Sequence, residues 1–123
     1  MDTPEGKVKK KYRARLKALG AYDFKPVQMG YGQRTIDDLC CVQGFFVGIE
    51  AKAPGEKPTP LQERTLKEIH DAGGIAIWGD DADEIIADLL NEISARNALG
   101  LRAAMAVERT QEPAAPESQS SER

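Results

Sequence analysis

Three residue types in a fixed spacing carry the chemistry that this sequence offers: Asp37 and, thirteen positions on, the triplet Glu50-Ala51-Lys52. The run Phe45-Phe46-Val47-Gly48-Ile49-Glu50-Ala51-Lys52 reads as an apolar strand that ends in one acid and one base. Side chains two apart on a strand share a face, so Glu50 and Lys52 project together, about 7 Å apart along the chain. Upstream, Thr35–Val42 reads as a second strand, joined to the first by Gln43-Gly44, a connection short enough for an antiparallel hairpin. With a two-residue loop Val42 faces Phe45, and counting back sets Asp37 opposite Glu50. Like charges opposed in a ladder, with Cβ atoms roughly 5 Å apart, destabilise it unless a cation lies between them. Two carboxylates and the Ala51 carbonyl are the oxygen donors that Mg²⁺ or Mn²⁺ takes, with water and phosphate completing the shell.

Parity decides which aspartate belongs to the pair. An even loop keeps Asp37 on the Glu50/Lys52 face, whereas a three-residue loop or a bulge would bring Asp38 there as the alternative ligand. The short Gln43-Gly44 turn favours Asp37, leaving Asp38 on the other face as a supporting or solvated acid.

Asp followed at this spacing by Glu-x-Lys resembles the PD-(D/E)XK nuclease motif. The string Gly-Ile-Glu-Ala-Lys-Ala-Pro-Gly-Glu-Lys-Pro-Thr-Pro-Leu-Gln resembles the small VRR-NUC-type nucleases often encoded by phages. The likeness runs from about Thr3 to Trp78. One departure is that the family usually has Pro before the metal-binding Asp, where this chain has Ile36 before Asp37. The resemblance implies a restriction-endonuclease-like core, catalytic roles for Asp37, Glu50, Lys52 and Gln62, and Glu5 as a further metal ligand. It also implies a homodimer that cuts branched DNA such as four-way junctions.

These residues need elements to hold them. Thr3 as N-cap, Pro4 at the first helical position and Glu5 in the first turn start a helix. Its core stripe is Val8, Tyr12, Leu16 and Leu19, with Gly20 as the stop. Lys7, Lys9, Lys10, Lys11, Arg13, Arg15 and Lys17 cover the rest, a surface that is either simply solvated or contacts phosphates through Lys9, Lys10 and Arg13. Ala21–Gln28 reads as an edge strand because Pro26 cannot donate to a ladder. The Gly-rich stretch Met29–Arg34 lacks nucleotide-binding spacing, and Arg34 is either a phosphate contact or a plain surface residue. Thr59, Pro60 and Gln62 form a capping box that opens a second helix. Gln62 therefore has two readings, cap or site residue, which are compatible. Leu61, Thr65, Leu66 and Ile69 are expected on its buried side. His70, at the far end, reads as an ordinary surface residue. Ile75–Trp78 is a short strand, and the acids from Asp80 to Glu84 suit the start of a third helix better than a metal cluster.

The order helix, strand, hairpin, helix, strand, helix defines an α/β fold with a mixed sheet of about four strands flanked by helices. A chain of 123 residues supports one domain, expected over residues 1–109, with a disordered tail over 110–123 where Pro, Ala, Ser, Gln and Glu dominate. Adjacent Cys40 and Cys41 read as small buried hydrophobes in a reducing compartment. With no signal-peptide pattern and no membrane-length apolar run, the expected location is the cytoplasm, that of the host if phage-encoded. The net charge of −3 divides unevenly: residues 1–57 hold 11 Lys/Arg against 7 Asp/Glu, and residues 58–123 hold 6 against 13. The basic half carries the motif, and a local basic face is what phosphate engagement requires.

The function read from these features is metal-dependent hydrolysis of DNA phosphodiester bonds, and the resemblance implies that it is structure-selective in the manner of a Holliday-junction resolvase. No nucleotide cofactor and no membrane partner are expected. The alternatives are a nuclease-fold DNA-binding module without turnover, or a phage regulatory protein acting through its acidic half.

Overall fold

The computed structural model describes residues 2–26 and 36–111, with side chains described to Glu108. Arg34, the Gly-rich stretch and most of the proposed tail lie outside the described residues.

Helix α1 spans Pro4–Ala18, and the Thr3 hydroxyl accepts from the Gly6 N–H at 2.9 Å, as its N-cap position requires. Strands β1 (Tyr22–Phe24), β2 (Asp38–Val42), β3 (Phe45–Ala51) and β4 (Ile75–Gly79) form one sheet in that spatial order. Helix α2 spans Pro60–Asp71 and α3 spans Ala82–Gln111. The β2–β3 turn is the two-residue Gln43-Gly44 loop, with Val42 paired to Phe45 and both turn residues at positive φ, 53° and 86°. Such a mirror-image turn matches the twist of the strands it joins. β1 is the edge strand and pairs antiparallel with β2, whereas β4 runs parallel to β3. β3 is thus the strand where pairing changes from antiparallel to parallel.

Alternation on β3 divides the core. Val47, Ile49 and Ala51 point to the side where Tyr12 and Leu16 of α1 and Ile85, Ile86 and Leu89 of α3 are buried, and Gly48 and Glu50 point towards α2. Gly48 is the point of closest approach: a Cβ there would lie 2.5 Å from Ile36 Cδ1 and 2.6 Å from Ile69 Cδ1. α2 can lie low on the sheet only because that position has no side chain.

Several local expectations change. Leu61 is exposed and Gln62 takes its place with Leu66 on the buried side of α2, because α2 faces the carboxylate end of β3 and needs a polar group there. Cys41 is exposed while Cys40 is buried, as strand alternation demands. Burial pushes the Cys40 thiol up to about 12, which keeps it protonated and inert. Asp81 caps α3 by accepting from the Glu84 N–H at 3.0 Å, so those acids do serve a helix start.

Residues 1–92 form one compact unit, and residues from 93 onward form a second. Within the second, the helix exposes Leu99, Leu101, Met105 and Val107. No helix among the described residues is long and apolar enough to cross a membrane.

Candidate active site

Four elements converge where β3 ends. β3 supplies Glu50 and the residue after it Lys52, the residue before β2 supplies Asp37, the first turn of α2 supplies Gln62, and the first turns of α1 supply Glu5 and Lys9.

Asp37 and Glu50 meet as the two-residue turn dictates. The Asp37 N–H donates to Glu50 Oε1 at 3.2 Å, and Asp37 Oδ2 accepts from the Ala51 N–H at 2.8 Å. Asp37 is thereby tied to the residue whose carbonyl was expected to join it. Glu50 is only 2% exposed, and its Oε2 accepts from Gln62 Nε2 at 2.8 Å, with Lys52 Nζ 3.6 Å away. Burial, then the Asp37 charge, push the Glu50 carboxyl up to about 7, with Lys52 acting in the opposite direction. Lys52 is itself buried, so acid and base share one enclosed wall.

Gln62 closes the capping box of α2 and reaches Glu50 with the same side chain. Its Oε1 accepts from the Thr59 N–H at 2.9 Å, its backbone N–H donates to Thr59 Oγ1 at 3.2 Å, and its amide nitrogen is left for Glu50.

Lys9 has a place in the site that its sequence position did not suggest. Its Nζ lies 3.1 Å from Asp37 Oδ1 and 3.2 Å from Glu5 Oε2, between two carboxylates expected to bind a metal. Burial opposes its charge, but Asp37 and then Glu5 more than compensate, and its pKa stands above the ordinary lysine value. An ammonium bridging these oxygens marks the spot as one where positive charge is favoured. Among the described residues no three His, Cys, Asp or Glu side chains gather as a ligand cluster. The oxygen groups at this end of β3 that could hold a hard divalent ion are the Asp37 and Glu50 carboxylates and the Ala51 carbonyl.

Asp38 is a correction to the expected supporting or solvated acid. It is 0% exposed on the opposite face, where it accepts from Tyr12 Oη at 2.6 Å, Arg13 Nε at 2.9 Å and Arg13 Nη2 at 2.9 Å. It is not available to Glu50, which removes it as an alternative ligand. Arg13 is corrected with it, since the guanidinium grouped with the phosphate contacts is committed to a buried carboxylate. Lys10 faces solvent, 3.7 Å from Asp2.

Two neighbours had no visible signal. Asp23 on β1 pairs across to Cys40 and so shares the Asp38 face; burial, then Asp38, push its carboxyl up to about 6. Among the described residues its Oδ1 is buried with no hydrogen-bond partner. Trp78 is register-paired with Glu50 and 41% exposed beside it. Only the strand pairing places either one.

No family model matches the chain, and no curated protein matches it. A four-stranded mixed sheet between helices, with carboxylates at the end of its central hairpin, defines a restriction-endonuclease-like α/β protein. A solved structure described as a VRR_NUC domain superposes with a TM-score of 0.60 at 25% identity, over 69% of this chain and 92% of its own. The chain has the VRR-NUC-type nuclease fold.

Proposed function

We propose that this protein is a Mg²⁺- or Mn²⁺-dependent endonuclease that hydrolyses DNA phosphodiester bonds, acts on branched DNA such as four-way junctions, and works as a homodimer. The observation that carries the reading is Glu50: a nearly buried carboxylate facing Asp37, held by Gln62 and flanked by Lys52. A purely structural role gives no reason to bury Glu50 beside the half-buried Asp37 at the end of a strand.

Asp37, Glu50 and the Ala51 carbonyl would hold the ion, with Glu5 close by through Lys9. A divalent ion bound there supplies an acidified water and neutralises charge on the phosphate. Gln62 fixes the orientation of the Glu50 carboxylate, and the Ala51 N–H fixes that of Asp37. Lys52, on the same side as Glu50, orients the attacking water and stabilises negative charge on the phosphate oxygens. Two symmetric sites suit two symmetric cuts across a junction.

The test is incubation of purified protein with linear, flapped and four-way DNA in Mg²⁺, Mn²⁺ or EDTA. Cleavage of the four-way substrate with either metal, lost in EDTA and in Glu50→Gln, is the expected result. DNA binding without cleavage under all conditions would reduce the protein to a nuclease-fold binding module.

A further inference from the structure

The basic surface of α1 is divided by the fold. Lys11 and Arg15 both pair with Asp83 of α3 at 3.1 and 3.0 Å, Arg13 belongs to Asp38, and Lys9 to Asp37 and Glu5. Lys10 and Lys17 of α1 line a groove of about 700 Å³ between α1 and β1, together with Lys25, the already paired Lys9 and Arg13, and Asp23 as the acid. Lys17 has no ion pair among the described residues, Lys10 reaches only the exposed Asp2, and Lys25 lies 3.5 Å from Asp23. An exposed pair such as Lys10–Asp2 holds a side chain weakly.

Position gives the groove its meaning. Lys9 stands in its wall and also touches Asp37, so the groove opens directly beside the carboxylates. From Lys10 to Lys17 the helix rises about 10.5 Å, the axial length of about three nucleotides of one strand at about 3.4 Å each.

We infer that the α1–β1 groove is the track for the phosphodiester backbone of the strand being cut, with Lys10, Lys17 and Lys25 contacting about three successive phosphates on one side of the scissile bond. This rests on the nuclease reading above and adds to it which flank of the site the strand occupies. Phosphate contacts of this kind position a strand without reading its sequence.

The test compares wild type, the triple variant Lys10→Gln/Lys17→Gln/Lys25→Gln, and Lys67→Gln, a control on the exposed side of α2. Binding of a labelled duplex is followed by fluorescence anisotropy in EDTA across a KCl series, with thermal melts to verify that each variant folds. Each lost phosphate contact lowers the slope of log affinity against log salt by about 0.9. The triple variant is therefore expected to lose about two to three from the slope and at least tenfold in affinity at low salt, with Lys67→Gln unchanged. A triple variant whose slope stays within about 0.5 of wild type, while wild type binds and cleaves, overturns the groove alone. A wild type that neither binds nor cleaves DNA overturns the nuclease reading and the groove with it.

Discussion

Asp37 and Asp38 are neighbours in sequence with opposite fates. Asp37→Ala should abolish cleavage with little change in melting temperature, since the residue sits at the partly open end of the sheet. Asp38→Ala leaves Arg13 and Tyr12 without their buried acceptor and should cost about 3 kcal/mol of stability, read as a fall in melting temperature. The reverse pattern would show that the wrong acid has been placed beside Glu50. A pH effect follows from Glu50. Its carboxyl titrates at about 7 in the folded chain, above its ordinary value of 4.5, so between these values the folded state holds the extra proton. Raising the pH through that window therefore favours unfolding, and stability should fall from about pH 4.5 to about 7 and level off above. Glu50→Gln should flatten this dependence and raise stability at pH 8 by about 1 to 3 kcal/mol while removing activity, measurable by denaturant melts across pH.

At the scale of elements, the hairpin was the most legible part of the chain, because a two-residue Gly-bearing turn leaves one register and the register fixes the face of every residue on both strands. The starts of α1 and α2 were equally plain from Thr3-Pro4 and Thr59-Pro60. What could not be read was any pairing that depends on how helices lie on the sheet. Arg13 meets Asp38 across 25 positions of sequence, and nothing local distinguishes it from Lys10. Asp23 joins the same buried group only through the pairing of β1 with β2. The seat of α2 on the sheet depends on Gly48, and Gly48→Ala should cost about 1 to 3 kcal/mol by overpacking against Ile36 and Ile69. Chemical denaturation would show it, and a neutral result would mean that both isoleucines can swing aside.

For the molecule as a whole, the buried residues that close the sheet on both faces, from Tyr12 to Leu89, lie within the first compact unit. A chain ended after Glu108 should therefore melt within about 2 °C of full length and, under the proposed function, cut four-way DNA as full length does. Loss of either would assign the remaining residues a part in the fold or the site. The uneven charge of the sequence also acquires a location: the basic half builds the groove and holds Glu50 and Lys52, and Asp83 from the acidic half pairs with Lys11 and Arg15 of α1. The doubled task of Gln62 has a practical result for anyone building libraries on this scaffold. Selection for expression and selection for cutting will both reject most replacements at that codon, yet glutamate should pass the first and fail the second, since its oxygen can still close the turn of α2 while nothing remains to grip Glu50.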